Sequence, residues 1–488
     1  MPIFSLPSRG GIGTLGREAF RFVDFLKKAG QSWWQILPLN PTNYGDSPYQ
    51  SFCSFAGNPY FIDPELLIEK GLLTEEELAR FNFGDEYNRI DYSKLYENRN
   101  KMLKLSFQRF SAGEKYLEFC KENSFWLDNY ALFMTIKNLN CDIPFIEWQA
   151  DLKLRNKESI EKIASEHNSL IEFYKFVQFE FYEQWKSLKK YANENGIKFI
   201  GDIPIYVAYD SAEVWSEPEQ FQLNDDLEPT SVAGCPPDAF CEDGQLWGNP
   251  LYNWDHMKKD GFSWWKRRLG FALKTYDCVR IDHFRGFESY YSVPFGSETA
   301  KTGHWVKGPD MTLFREFEKH FGKNLPIIAE DLGFHTPAVT KLLAESGYPG
   351  MKVLQFAFDG DTDNSYLPHN YTKNYVVYTG THDNDTVLGW LESISDSEAA
   401  FVRNYLQTKD FDGLNWTMMR AALMSVADTC ILTMQDLIGL GSEARINTPS
   451  TLGDNWQWRI EPACINDWLA NILYENTYLY GRVNNSEI

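Results

Sequence analysis

Short apolar segments alternate with longer segments of helical periodicity along most of the 488-residue chain. The apolar segments are nearly continuous, which is typical of strands that are buried on both faces of a parallel sheet. Helical patterns such as Gly16–Gly30 and Pro337–Ser346 separate them, so the repeated units predict a (β/α)8 TIM barrel with inserted, largely helical subdomains. Tyr60–Asp63 is the candidate for the eighth strand. The other predicted strands are Ser32–Leu39, Lys198–Ile205, Asp277–Ile281, Leu325–Ala329, Val353–Phe358, Tyr375–Tyr378 and Thr429–Met434.

Two long segments exceed what a minimal barrel of about 250 residues requires. Residues 64–190 carry helical patterns, the longest of them at Ser159–Tyr191, and are predicted to form a helical insertion. Residues 207–275 are rich in Gly, Pro and Trp and are predicted to form a loop-rich insertion. Because this second segment lies between two predicted strands, we expect it to cover the active site. The whole chain, 1–488, is thus predicted to be a single catalytic barrel domain.

Three acidic residues, Asp282, Glu330 and Asp383, each follow the C-terminal end of a predicted strand. In a parallel barrel these strand ends open onto one face, where catalytic groups lie. Cleavage of a bond between two sugars needs a carboxylate that attacks the anomeric carbon and a carboxylic acid that protonates the leaving oxygen. A single carboxylate at a strand end more often caps a helix or forms an ion pair. Three of them on separate strands predict glycosidic chemistry.

Neighbouring residues indicate a role for each carboxylate. Arg280 lies two residues before Asp282, so both side chains share one face of the strand, and a guanidinium keeps a nearby carboxylate ionised, as a nucleophile requires. Glu330 ends an apolar run, where the loss of water raises the pKa of a carboxyl group and favours a proton donor. Asp383 follows His382 in a polar cluster that can hold sugar hydroxyls.

Composition narrows the class of ligand. The net charge of −21 disfavours nucleic acid and anionic membranes as partners, but a neutral oligosaccharide meets no repulsion. Aromatic residues make up 16% of the chain; most must be core, and those near the carboxylates are candidates for stacking on sugar rings. The sequence has no signal-peptide pattern, no long apolar span and no Cys-x-x-Cys pair, which predicts a cytoplasmic protein without a zinc site.

A glycine pattern near the start, Gly11–Gly16, matches the dinucleotide-binding sequence G-x-G-x-x-G. That motif binds a cofactor when it follows a strand and opens a helix within a βαβ unit. Only ten residues precede it here, and two of them are prolines. The pattern therefore predicts a turn that leads into a helix. Neither a cofactor nor a metal is predicted for this chain.

Four segments resemble the sequence regions of the α-amylase clan: Gly201–Val207, Val279–Gly286, Ile327–Gly333 and Tyr378–Asp385. In detail they are similar to glycoside hydrolase family 77, the 4-α-glucanotransferases or amylomaltases. The resemblance extends from about residue 4 to about residue 470. The segments that are specific to this family are Ser5–Pro7 with Gly11–Gly16, Ser47–Ser51 with Phe55–Pro59, Pro236–Phe240, Gly244–Pro250, Gly441–Pro449 and Asn455–Arg459.

This resemblance implies a barrel enzyme that acts on α-1,4-glucans by a retaining double displacement. It implies that Asp282 is the nucleophile, Glu330 the general acid/base and Asp383 the stabiliser of the transition state. Arg280 and His382 match positions that contact the nucleophile and the bound donor sugar. The expected partners are α-1,4-glucans, maltooligosaccharides and glucose.

The remaining substrate-binding candidates come from two loops. Tyr49 matches an aromatic residue beside the donor sugar, and Ser47 lies in the same motif. Asp238 matches a loop carboxylate on the acceptor side. Phe240 and Trp247 belong to the 207–275 segment, from which they could offer apolar contacts to an incoming sugar or anchor the loop itself.

Two alternatives remain open at the level of sequence. An α-1,4-glucan hydrolase would use the same three carboxylates, because transferase and hydrolase share the chemistry up to the glycosyl-enzyme intermediate. A catalytically silent glucan-binding protein is the other alternative, and the presence of all three carboxylates argues against it.

Overall fold

The structure, a computed structural model, describes residues 1–237, 242–333, 336–408 and 413–483. Within these ranges the chain forms eleven strands, seven in parallel sheets and four in an antiparallel sheet. They are β1 (Trp33–Gln35), β2 (Lys198–Ile203), β3 (Ser231–Cys235), β4 (Gln245–Pro250), β5 (Cys278–Ile281), β6 (Ser289–Pro294), β7 (His304–Lys307), β8 (Ile327–Ala329), β9 (Gly350–Val353), β10 (Tyr375–Tyr378) and β11 (Thr429–Ile431).

The parallel strands follow one another in chain order. The first sheet has the order β1-β2-β5-β8, and the second has the order β9-β10-β11. In the first sheet Ile203 pairs with Ile281, and Ile281 pairs with Ala329. Three strands therefore end at the same level, and the residues that follow them emerge side by side.

Contacts between the two sheets show that they surround one interior. The Ala329 N–H donates to the Pro349 carbonyl over 2.9 Å, next to the start of β9. At the other side the Tyr378 hydroxyl donates to Gln35 Oε1 over 2.9 Å. A buried interior cluster draws side chains from both sheets, namely Ile200, Cys278, Ile328, Met351, Val353, Val376 and Tyr378. This is the arrangement of a (β/α)8 barrel, as predicted.

Two strand predictions are wrong. In the predicted strand Val353–Phe358, the observed strand ends at Val353, and Leu354–Phe356 form a 3-10 helix. The sequence stays apolar beyond the strand because Leu354, Ala357 and Phe358 are buried in a separate core cluster. At Tyr60–Asp63 the chain forms a 3-10 helix, Pro59–Phe61, since Asn58 caps its N-terminus and proline fits a first helical turn. In the described ranges an eighth parallel strand is absent.

Helices surround the parallel strands. The first of them, Arg17–Lys28, buries Ala19, Phe22, Val23 and Leu26 on one face, at the spacing expected for an amphipathic helix. In the described ranges every helix is too short or too polar to cross a lipid bilayer. The surrounding helices are α1 (Arg17–Lys28), α8 (Asn168–Glu194), α11 (Ser263–Thr275), α12 (Met311–Phe321), α13 (Pro337–Ser346), α14 (Val387–Ser393), α15 (Asp396–Leu406), α16 (Leu414–Leu423), α17 (Met434–Ile438) and α18 (Asp467–Leu479).

The segment between β1 and β2 is mainly helical. The predicted helix Ser159–Tyr191 is two helices, because the first ends at Glu166 and the second begins at Asn168. The long helices of this segment pack through aromatic rings, for example Phe119 against Phe179 at 5.7 Å. Before α8 it contains α2 (Pro64–Glu69), α3 (Glu75–Leu78), α4 (Tyr92–Phe107), α5 (Glu114–Leu139), α6 (Ala150–Lys153) and α7 (Lys157–Glu166).

The segment between β2 and β5 holds more regular structure than its composition predicts. It contains the helices α9 (Ala212–Ser216), α10 (Trp254–Lys259) and α11, and the strands β3 and β4. These two strands join β6 and β7 in an antiparallel sheet of order β4-β3-β6-β7. The sheet therefore combines residues that precede Asp282 with residues that follow it.

Candidate active site

Asp282 and Glu330 lie next to each other at the ends of β5 and β8. Ile281 and Ala329 are paired, so the residues that follow them are neighbours. His283 has a left-handed backbone conformation, with φ of 49°, and its N–H donates to Glu330 Oε2 over 2.7 Å. The Leu332 N–H donates to Glu330 Oε1 over 2.7 Å. Both oxygens of Glu330 are thus held by the backbone, one of them by the residue after Asp282.

The environment of Glu330 favours its neutral form. Burial raises its pKa to about 8, the negative charge of Asp282 adds to the increase, and Arg280 opposes it. The side chain is protonated at neutral pH for this reason. A carboxylic acid that keeps its proton next to a second carboxyl group is an arrangement suited to general acid catalysis at a glycosidic bond.

Arg280 bridges two carboxylates. Its Nη1 lies 2.7 Å from Asp202 Oδ2, and its Nη2 lies 3.0 Å from Asp282 Oδ1. Although burial lowers the pKa of Arg280, these two carboxylates raise it well above its usual value. This ion pair places a positive charge directly beside the Asp282 carboxylate. The Asp282 side chain is 29% exposed, so it remains accessible to a ligand.

Asp383 lies in the turn after β10 and has a different environment. Its side chain is 48% exposed. Asn447 Nδ2 donates to Asp383 Oδ1 over 2.7 Å, and Arg445 Nη2 donates to the Asp383 carbonyl over 2.8 Å. His382 Nε2 lies 3.4 Å from the same Oδ1. The carboxylate is therefore held by side chains from a later loop rather than by strand pairing.

Tyr49 connects the two groups of carboxylates. Its hydroxyl donates to Asp202 Oδ2 over 2.8 Å. Its ring stacks on the His382 imidazole at 5.1 Å, with 20° between the planes. Burial, followed by the charge of Asp202, raises the pKa of Tyr49 above its ordinary value, so the phenol stays a proton donor. The structure thus brings Asp383 to the same site as Asp282.

The other substrate-binding candidates have different positions. Ser47 Oγ accepts the Tyr49 N–H over 3.2 Å, so it orients the loop that carries the tyrosine. Trp247 is half-buried in β4 and meets the His283 ring edge to face at 4.8 Å. Asp238 and Phe240 lie outside the described residues. Trp247 is therefore the member of the 207–275 segment that the structure brings to the site.

Sequence reasoning missed the groups that hold the carboxylates. Asp202 lies in the recognised segment Gly201–Val207, and its pairing with Arg280 in the first sheet would have identified it. Asn447 lies in the recognised segment Gly441–Pro449, but the sequence contains no signal that joins it to Asp383. In the described ranges no cluster of three or more His, Cys, Asp or Glu side chains has the geometry of a metal site.

Comparison with known proteins agrees with this geometry. Residues 1–465 match glycoside hydrolase family 77, 4-alpha-glucanotransferase. The chain belongs to this family. It is 51% identical to the 4-alpha-glucanotransferase of Clostridium butyricum over 99% of this chain and 100% of that one. It is 46% identical to the enzyme of Thermus thermophilus, over 94% of this chain and 93% of the relative.

Solved structures of family members have the same fold. The amylomaltase from Streptococcus agalactiae in complex with acarbose superposes with a TM-score of 0.97, at 40% identity, over 99% of both chains. The amylomaltase from Corynebacterium glutamicum has a TM-score of 0.74 at 18% identity, over 99% of this chain and 73% of that one, which shows the shared fold alone. The activity of the chain is 4-α-glucan transfer, and none of these comparisons favours the hydrolase alternative.

Proposed function

We propose that Asp282, Glu330 and Asp383 perform this transfer as a retaining double displacement through a glycosyl-enzyme intermediate. The observation that carries the proposal is the junction at His283, whose N–H holds the buried Glu330 carboxyl group beside Asp282; the raised pKa of Glu330 agrees with it. An acid and a nucleophile on adjacent strand ends can act on the same glycosidic bond.

In the first step the Asp282 carboxylate attacks the anomeric carbon of the donor glucan. The bond from that carbon to the leaving oxygen breaks, and the proton of Glu330 moves to this oxygen. The products are a glycosyl ester on Asp282 and a shorter glucan or glucose with a free 4-hydroxyl. Arg280 Nη2, 3.0 Å from Asp282 Oδ1, holds this carboxylate in position for the attack.

In the second step an acceptor 4-hydroxyl gives its proton to Glu330 and its oxygen attacks the anomeric carbon, so the ester bond to Asp282 breaks. The negative charge of Asp282 is one of the causes of the raised pKa of Glu330. Esterification of Asp282 in the first step has removed this charge. The pKa of Glu330 therefore falls in the intermediate, which suits its second role as a base.

The donor sugar binds between the two groups of carboxylates. Tyr49, His382 and Asp383 form a contiguous polar and aromatic surface there. Hydrogen bonds from sugar hydroxyls to Asp383 would strengthen as positive charge grows on the sugar in the transition state. The Streptococcus agalactiae relative was solved with acarbose, and we extend acarbose binding to this site.

The 207–275 segment forms a cover that favours an acceptor sugar over water. Trp247 of this segment packs against His283, and Gln50 Nε2 lies 3.3 Å from Asn249 Oδ1, which ties the cover to the loop of Tyr49. A covered site limits the access of water to the intermediate. Phe240 lies outside the described residues, and its contribution to the cover stays a prediction. Phe240→Ala tests it, and an unchanged ratio of hydrolysis to transfer would remove Phe240 from the proposal.

The products formed from maltotriose test the whole proposal. We expect longer maltooligosaccharides together with glucose, whereas a hydrolase would release shorter products only. Asp282→Asn should lower kcat at least about 10⁴-fold, because it removes the nucleophile, and should leave maltooligosaccharide binding intact. Asp277→Asn is the matched control, since Asp277 precedes β5 at the opposite end of that strand. Equal activity of the two variants would refute the role of Asp282.

A further inference from the structure

A third ring packs under Tyr49 and His382. The Trp456 indole is 4% exposed, lies 6.1 Å from the Tyr49 ring and 5.8 Å from the His382 ring. Since Tyr49 and His382 also stack on each other, each of the three rings contacts the other two. A buried indole in this position restricts the orientation of both neighbours.

We propose that Trp456 is a positioning residue for the donor side of the active site. It orients Tyr49, whose hydroxyl binds Asp202, and His382, whose Nε2 faces Asp383. Trp456 acts through these two residues, because its burial keeps it from the substrate. The inference rests on the proposed roles of the carboxylates and adds to them a residue outside the contact surface.

The backbone of Trp456 is held in a conformation that tryptophan rarely adopts. Its φ is 63°, in the left-handed region, which disfavours residues with a β-carbon. Such a conformation persists only where surrounding contacts enforce it. Here the Trp456 N–H donates to the Ile446 carbonyl over 2.7 Å, and the Tyr92 hydroxyl donates to the Trp456 carbonyl over 2.9 Å.

The first of these hydrogen bonds also reaches Asp383. Ile446 precedes Asn447, whose side chain donates to Asp383 Oδ1, and the Asn447 N–H donates to the His382 carbonyl over 3.1 Å. Trp456 therefore supports Asp383 by two routes: its ring packs on His382, and its N–H fixes the segment that carries Asn447.

The second hydrogen bond ties Trp456 to the helical segment between β1 and β2. Tyr92 begins α4, and the residues before it pair with the loop of Trp456. The Ile90 N–H donates to the Gln457 carbonyl, and the Arg459 N–H donates to the Asn88 carbonyl, both over 2.9 Å. Residues 88–92 thus contribute to the geometry of the site through Trp456.

A matched pair of buried tryptophans tests the proposal. Trp185 is 2% exposed and packs on Phe199, near the start of β2 and away from the carboxylates. We expect Trp456→Leu to lower kcat about 10- to 100-fold with a smaller change in KM, because contacts with Asp383 matter most in the transition state. Trp185→Leu should lower Tm and change kcat less than about 3-fold. An equal loss of kcat in both variants would overturn the proposal.

Conservative variants keep the test valid if Trp456→Leu does not fold. Trp456→Phe retains a ring and should recover kcat to within about 5-fold of wild type. Tyr92→Phe removes one hydroxyl outside the site and should still lower kcat about 3- to 10-fold. Two results together would contradict a positioning role. Tyr92→Phe would keep full activity, and Trp456→Phe would lose as much activity as Trp456→Leu.

The double variant with His382→Ala shows whether Trp456 acts through its neighbours. We expect Trp456→Leu to lower kcat by a smaller factor in the His382→Ala background than in the wild type, since one of the two routes by which Trp456 supports Asp383 is already lost. An equal cost in both backgrounds would show an independent effect. Asp282→Asn separates this inference from the proposed function. If Asp282→Asn keeps its activity, the proposed mechanism fails. If Asp282→Asn is inactive and the Trp456 variants have normal activity, only the inference about Trp456 is refuted.

Discussion

The carboxylates of the first parallel sheet and the carboxylate of the second are held in different ways. Asp282 and Glu330 directly follow paired strands, and backbone N–H groups fix both oxygens of Glu330. Asp383 follows β10 by five residues and depends on Asn447 and His382. Glu330 is 9% exposed, whereas the Asp383 side chain is 48% exposed.

This difference separates two requirements of the reaction. Proton transfer needs a buried carboxyl group whose pKa is raised and whose oxygens do not move, and paired strands provide a rigid and dry position. A group that contacts sugar hydroxyls must stay open to the ligand. A loop supplies such a position, at the cost of side-chain contacts that have to orient it.

Replacement of Glu330 is expected to have the largest effect among the tests of the two carboxylates at the paired strand ends. Glu330→Gln should lower kcat about 10³-fold with natural glucans, because the leaving oxygen is no longer protonated. The loss of kcat/KM, which reports the first step, should be much smaller with a maltosyl fluoride donor, whose leaving group needs no proton; kcat should stay low, because the variant also lacks the base of the second step. Both rates follow from initial-velocity measurements.

The control for this variant is Glu288→Gln, since Glu288 is also a buried carboxylate but pairs with Lys307 outside the site. It should change kcat less than about 3-fold. A Glu330→Gln variant whose kcat/KM falls equally with both donors would contradict the role of Glu330 as the acid.

The pH dependence of kcat/KM is a second test of Glu330. In the proposed mechanism the free enzyme needs protonated Glu330, whose pKa is about 8, so kcat/KM should fall about tenfold per pH unit above this value. Activity below pH 8 should not depend on this group. The measurement is kcat/KM between pH 6 and pH 10, and a limb that persists unchanged in Glu330→Gln would assign it to another residue.

A substitution at Asn447 tests how Asp383 is held, and we expect a smaller effect than at Glu330. Asn447→Ala removes the hydrogen bond to Asp383 Oδ1 and should lower kcat about 10-fold, with a smaller effect on KM. Asn455→Ala is the control in the same loop, because Asn455 accepts the Thr448 N–H and does not touch Asp383. If Asn455→Ala lowers kcat as much as Asn447→Ala, loop folding rather than the contact with Asp383 explains the loss.

The last expected effect is on stability rather than on activity. The pKa of Glu330 is about 8 in the folded protein, against an ordinary value of 4.5, so folding takes up a proton between these values. The stabilisation by neutral Glu330 is complete below pH 4.5 and is lost as the pH rises through 8. Glu330→Gln should therefore gain on the order of 4 kcal/mol over wild type between pH 5 and pH 9. Thermal unfolding at both pH values measures this gain, and a constant difference would contradict it.

The sequence predicts the part of the fold that short-range pattern determines. Tyr375–Tyr378 is confirmed with its bounds, because an apolar run buried on both faces needs no knowledge of distant residues. The apolar run at Val353–Phe358 mixes strand and core residues, and its pattern does not mark the strand end. The strands β3 and β4 are hidden in a segment rich in Gly, Pro and Trp, since β3 pairs not only with β4 but also with β6, whose residues lie about 60 positions away.

The site shows the same limit. The sequence places Asp282, Glu330 and Asp383 after their strands, and the structure brings these residues together, whereas their roles stay predictions. Asn447 and Trp456 have no local signal, because their importance arises from contacts with Asp383 and His382 that only the folded chain creates. Residues that hold a reactive group are harder to predict than the group itself.

The two backbone N–H groups on Glu330 have a consequence for the course of the reaction. A carboxyl group fixed at both oxygens cannot turn between two places, so the departing sugar and the arriving sugar must occupy one position in succession. Departure and arrival then become the same event in opposite directions. When the arriving group is a sugar hydroxyl, each linkage that breaks is replaced by one that forms, so transfer redistributes chain lengths while the number of linkages stays constant.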